Sequence, residues 1–244
     1  MYWNVDIHCQ HVADSFIFSL RSRPAFARTA VKVLHIRPSV TPEQGAEILC
    51  LCQGTEELTL QVISNLPDDH NPLRPPLSTL QLTTLSLDLA STFYGPMISL
   101  PDLSLLRRVE HLHLSNSWTA RHGLYIGLHK LDQLTHVSFP IQPPGQQSIR
   151  TEILTYILGS FHVLQVVILW HMAYQESQVI YDTLRKRNIV DPRIVVFNSA
   201  WFTEYEDNSF WTHAMTIVQQ QQNRNLKGAS VFLSTQHWPN ADSR

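Results

Sequence analysis

His111, His113 and His136 are the residues of this chain whose type and spacing come nearest to a site of chemistry. His111 and His113 are two apart, so in an extended strand they emerge on one face. His136 stands at the position of the next apolar motif that matches His111, which would set it on a neighbouring strand about 4.8 Å away. Imidazoles so grouped could bind a transition metal. No carboxylate or thiol joins them, however, and neither H-E-x-x-H nor a Cys/His zinc spacing occurs. With 13 histidines in the chain, some fall together by chance. The three are therefore read as part of a partner-binding surface, with no metal and no cofactor. A metal-binding protein is kept as an alternative.

Other catalytic signatures are missing. There is no G-x-S-x-G elbow, phosphate-binding glycine loop or dinucleotide fingerprint, and only eight glycines occur. Asp68-Asp69-His70 lies in a proline-rich stretch where solvated turn residues are the default. Glu204, Glu206 and Asp207 precede a terminal helix, where capping and solubility account for them. No catalytic residue is assigned, and a non-enzymatic role is expected.

Charge and composition narrow the partner. Net charge is −2, from 18 Lys+Arg and 20 Asp+Glu, without the basic face that nucleic-acid binders carry. The dense basic cluster Arg185-Lys186-Arg187 falls near the end of a predicted helix, where cations meet the negative end of its dipole. The three cysteines, Cys9, Cys50 and Cys52, are odd in number and form no C-x-x-C, which suits small apolar residues in a reducing compartment. The opening MYWNVDIHCQ lacks a basic region followed by an apolar one, so no signal peptide is expected. No apolar run nears the roughly 18 residues of a membrane span. These features predict an intracellular protein, cytoplasmic or nuclear, with a protein partner and neither nucleic acid nor membrane.

The elements that would position the histidines come from a repeated motif. It reads Val31-x-x-Leu34-x-Ile36, Leu58-x-Leu60, Leu82-x-x-Leu85-x-Leu87, Val109-x-x-Leu112-x-Leu114, Leu134-x-x-Val137-x-Phe139 and Leu164-x-x-Val167-x-Leu169. Its fourth positions are spaced by 24, 27, 27, 25 and 30 residues. That is the L-x-x-L-x-L pattern of a leucine-rich-repeat solenoid, whose period is roughly 20–29 residues. The expected fold is α/β: a right-handed horseshoe with a parallel sheet on its concave face and about seven to eight units. Residues 1–225 form the array with a C-terminal capping helix, and 226–244 are expected to be a mobile tail.

In such strands positions four and six face the core, and positions three and five face the concave surface. Position three reads Val33, Glu57, Thr84, His111, His136 and Val166. Position five reads His35, Thr59, Ser86, His113, Ser138 and Ile168. The face is polar and turns apolar toward its C-terminal end. There Val166, Ile168 and Trp170 would make an exposed strip, and a partner-binding one, unless Trp201 and Phe202 fold over it. Trp170 and the three histidines are the anchors expected to carry specificity.

Between strands, Thr41-Pro42-Glu43-Gln44 reads as a capping box with proline at the first helical position. Gly54 is expected as a left-handed C-terminal cap for that helix. Arg23-Pro24 breaks a helix over 12–20 and leads into a short connector. Prolines 67, 72, 75 and 76 exclude a long helix between the motifs at Leu58 and Leu82. Loops are expected at Gly95-Pro96 and Pro143-Pro144-Gly145, and a helical turn over 124–131. Further helices are predicted over 149–158, capped by Ser148 and ended by Gly159, over 176–187, and over 209–222. The last of these turns Phe210, Trp211, Ala214, Ile217 and Val218 inward.

Ser22-Arg23-Pro24 before the strand at 31–36, Ile48-Leu49-Cys50-Leu51-Cys52-Gln53-Gly54, Leu131-Asp132-Gln133-Leu134-Thr135-His136-Val137, Asp191-Pro192-Arg193-Ile194-Val195-Val196 and Phe210-Trp211 carry a family likeness. With them the chain resembles leucine-rich-repeat proteins expanded in mushroom-forming fungi, many of which carry an N-terminal F-box-like segment. The resemblance covers roughly residues 1–222. Repeat chemistry begins by Val5, so the resemblance implies the target-binding half of such a protein without the half that docks on a ubiquitin-ligase adaptor. The expected function is a non-enzymatic interaction scaffold. A target-recognition subunit of a ubiquitin ligase is the alternative from another class.

Overall fold

The computed structural model describes residues 4–64, 70–88, 92, 104–115, 130–141, 151–171, 177–198 and 209–226. The chain divides into two compact units, Met1–Leu134 and Thr135–Arg244. Both are built as an α/β leucine-rich-repeat solenoid: every described strand pairing is parallel, and strands pair in chain order.

The first unit contains β1 (Asn4–Ile7), α1 (Gln10–Arg21), α2 (Pro24–Ala30), β2 (Val33–Ile36), α3 (Pro42–Leu51), β3 (Glu57–Leu60), α4 (Arg74–Thr79), β4 (Thr84–Leu87) and β5 (His111–Leu114). Two apolar ladders cross its strands in register. One aligns Val5, Leu34, Leu58, Leu85 and Leu112; the other aligns Ile7, Ile36, Leu60, Leu87 and Leu114. All but Val5 are buried. Each buried leucine or isoleucine contributes about 1.5–3 kcal/mol, so the repeat itself is the core. Val31, Leu82 and Val109, at the first motif position, are buried just ahead of their strands.

The strands begin two residues later than the motif does, for a hydrogen-bonding reason. The Lys32 carbonyl accepts from the amides of both Glu56 and Glu57, that of Glu56 from Thr83 and Thr84, and that of Thr83 from Glu110 and His111. Each of these carbonyls is shared by two successive amides of the next unit, and regular ladder pairing starts only after it. On the helical side α1 packs against α3, α3 against α4, and α4 against a single 3-10 turn at Ser104–Leu106.

Local chemistry is as the sequence predicts at α3. The Thr41 hydroxyl accepts from the Gln44 amide at 3.2 Å, and the Gln44 side chain accepts from the Thr41 amide at 3.2 Å. Two expectations are corrected nearby. The segment after Arg23-Pro24 is a helix, α2, because proline at the first helical position has its φ preset and sacrifices no bonded amide. Gly54 is not left-handed. It is glycine because a Cβ there would overlap the carbonyl oxygen of Arg28. The prolines at 75 and 76 sit in the first turn of the short α4, so the exclusion of a long helix holds.

The second unit contains β6 (His136–Pro140), α5 (Thr151–Ser160), β7 (Val166–His171), α6 (Ser177–Lys186), β8 (Ile194–Asn198) and α7 (Ser209–Leu226). Val137, Val167 and Ile194 align across its strands, as do Phe139, Leu169 and Val196. Gly159 lies within the last turn of α5 rather than ending it. Asn188 ends α6 in the left-handed region, with φ 58. The Ile189 amide then reaches the Leu184 carbonyl at 2.9 Å and the Asn188 amide reaches Arg185 at 2.9 Å, which is a Schellman closure. Arg185 and Lys186 fall in the last turn of α6, as predicted, and Arg185 pairs with Asp182 at 3.1 Å.

Several expectations lie outside the described residues: Asp68-Asp69, Gly95-Pro96, most of the turn over 124–131, Pro143-Pro144-Gly145, Ser148, Trp201-Phe202, the acids at 204–207, and the tail from 227. Among the described residues no helix is long and apolar enough to cross a membrane.

Candidate partner-binding face

The face of the first unit's sheet away from the helices is assembled by alternation. In β2, β3, β4 and β5 the fourth- and sixth-position side chains are buried, and those between them are half-buried. Register aligns Asn4, Val33, Glu57, Thr84 and His111 in one row, and Asp6, His35, Thr59, Ser86 and His113 in a second. This is the surface that the motif predicts, across five strands.

Its charges are mostly tied at the edges. Arg37, just past β2, grips Asp6 through Nε at 3.0 Å and Nη2 at 2.9 Å. The Arg37 hydrogen bond holds the Asp6 carboxyl below the usual carboxylate range. Lys32 meets Glu56 at 2.6 Å where the strands begin. Sequence spacing does not single out Asp6 and Arg37, because a bond between residues 31 apart exists only once neighbouring units are stacked.

His111 and His113 stand on this face but are not freely solvated. Burial lowers the His111 pKa, against the raising effect of Glu110, and pushes His113 down to about 4. At neutral pH both rings are uncharged donors and acceptors.

His136 is not on an open face. It lies in the second unit, is 7 % exposed, and its ring meets Trp211 edge-on at 5.6 Å. Its Nδ1 is 2.7 Å from the Thr135 hydroxyl. The expectation of three histidines on one exposed surface is corrected accordingly. Among the described residues no group of three or more His, Cys, Asp or Glu side chains could hold a metal ion. Of the thiols, Cys50 is exposed rather than buried, and burial pushes Cys52 up to about 12, far from a reactive thiolate.

The apolar strip is also corrected. Val166, Ile168 and Trp170 are buried, packed with Val195 and Phe197 beneath Trp211, Ala214, Ile217 and Val218 of α7. The predicted inward face of the last helix is right; its partner is the strip itself. The readable signal was the unbroken apolar run Val166–Trp170, matched by Ile194–Phe197. Strands covered on both faces lose their polar alternation.

Around this core, long-range polar bonds close the second unit. Arg193 donates to the Asp191 carboxylate at 2.7 Å and to the carbonyls of Leu158, Phe161 and Leu164 at 2.9, 3.3 and 3.3 Å, which ties the end of α5 to the turns before β7 and β8. Gln221 of α7 donates to the carbonyls of Pro192 and Ile194 at 3.1 and 2.9 Å. The Tyr181 hydroxyl accepts from the Val196 amide at 2.9 Å, and burial raises its pKa.

No family model matches this chain, and no curated protein matches it.

Proposed function

We propose that the chain is a non-enzymatic interaction scaffold that binds a protein partner through the polar strand face of its first unit. The observation that carries this reading is the alternation in β2 to β5. It presents two in-register rows of half-exposed, mostly uncharged side chains on a backbone fixed by buried ladders. A rigid surface of this kind binds with little ordering cost, and a few central contacts would carry the affinity. The equivalent positions of the second unit are filled by α7, which leaves the first unit as the site. His111 and His113 are its candidate anchors, as neutral hydrogen-bonding groups.

The test is affinity capture with cross-linking mass spectrometry, using the full chain. Thr59→Arg and Ser86→Arg should each remove the partner held by the wild type, because a long cation in the middle of the face blocks close approach. Thr212→Arg, on the exposed side of α7, should keep it. A partner retained by both face variants refutes the assignment. Adaptor and cullin subunits among the specific partners would move the reading to a ubiquitin-ligase subunit.

A further inference from the structure

We propose that the groove between α1 and α3 is a second docking surface, and that its occupant is a basic amphipathic segment carrying a large apolar side chain between cations. The groove is walled by Asp14, Phe18 and Arg21 of α1 and by Glu43 and Glu47 of α3, and Ile17 also lines it. It belongs to the helical side of the first unit and shares no residue with the strand face.

Two rungs hold its walls. The Gln44 side chain donates through Nε2 to Asp14 at 2.6 Å, and Arg21 donates to Glu47 at 2.6 Å. Phe18 falls between Asp14 and Arg21 in the sequence of α1, one turn from the first, and is 78 % exposed. It is the most exposed of the large hydrophobic side chains among the described residues. A single exposed apolar residue needs no explanation by itself. Its setting is what specifies a ligand. Three carboxylates line the groove against one guanidinium; Glu47 is already paired with Arg21, and Glu43 lies one turn from Glu47 on α3. Glu43 is exposed and forms no ion pair with the described residues.

Charge complementarity then selects the occupant. A purely apolar helix would cover Phe18 but strip water from Glu43 without a counter-charge, which burial penalises strongly. An acidic segment would add to the repulsion. A segment with lysine or arginine on either side of one leucine or phenylalanine satisfies both demands: the apolar side chain covers Phe18 and the cations meet Asp14 and Glu43.

Fluorescence titration of the full chain tests this with two short labelled peptides, a helical Lys/Leu amphipath and its Glu/Leu counterpart. The Lys/Leu peptide should bind saturably, and more weakly as salt rises. Phe18→Ser and Glu43→Lys should each weaken it by at least about tenfold, while the strand-face variant Thr59→Arg binds as the wild type does. Both substituted groove positions are exposed, and circular dichroism checks that the fold is kept. Equal affinity for the Glu/Leu peptide, unchanged binding in Phe18→Ser, or no saturable binding would overturn the proposal. So would a wild-type dimer lost in Phe18→Ser, which would make a second copy the occupant. Loss of binding in Thr59→Arg alone would refute this groove and point back to the strand face.

Discussion

His113 joins a strand-face position to a buried environment, and that combination has a measurable consequence. Its folded pKa is about 4, below the ordinary histidine value of about 6.5. Above pH 6.5 the ring is neutral in both folded and unfolded chains, and its contribution to stability is fully present. Between 6.5 and 4 the unfolded chain takes up a proton that the folded chain refuses, so stability falls as pH falls. Allowing for solvent screening at a half-buried ring, the loss is about 1–2 kcal/mol. Denaturant melts of His113→Gln across pH 7 to 4 should show a flatter decline than the wild type. An identical slope would mean that His113 is charged in the fold. Gly54 is the second residue whose identity the structure explains. A methyl group there must displace the Arg28 carbonyl, so Gly54→Ala should cost about 1–3 kcal/mol through overpacking. A stability equal to the wild type in a urea melt would show that the last turn of α2 yields freely.

Among the elements, α7 makes the outer sheet face of the second unit different in kind from that of the first. In the first unit the sheet's outer face is half-exposed and polar; in the second, Trp211, Ala214, Ile217 and Val218 cover it. The helix is anchored by packing and by Gln221, which reaches the carbonyls of Pro192 and Ile194. Trp211→Ala should therefore cost about 3–5 kcal/mol. It should also uncover Val166, Ile168 and Trp170, so dye binding to exposed apolar surface should rise and β7 amides should exchange faster. A variant with normal stability and no extra dye binding would show that the strip is covered by something other than this helix. Arg193 acts on the same scale: one guanidinium ties α5 to the turns before β7 and β8, and no local pattern in the sequence marks it for that task.

Across the whole molecule, sequence alone determined what repeats. A motif that returns about every 27 residues can bury its leucines only by stacking on its neighbours, so it dictates parallel strands in chain order and the ladders of the core. It also determined what is local, such as the Thr41 capping box and the inward face of α7, because both are set within a few turns of chain. Tertiary structure decided which surface stays open. Whether Val166, Ile168 and Trp170 meet water depends on a helix about 50 residues downstream in the chain, and spacing within a strand carries no record of it. The same holds for His136 against Trp211, for the loss of water around His113, for Gly54 beneath Arg28 and for Asp6 held by Arg37. Burial and charge pairing depend on what packs from a distance. The repeat fixes the backbone, and the non-repeating contacts fix the chemistry of its faces.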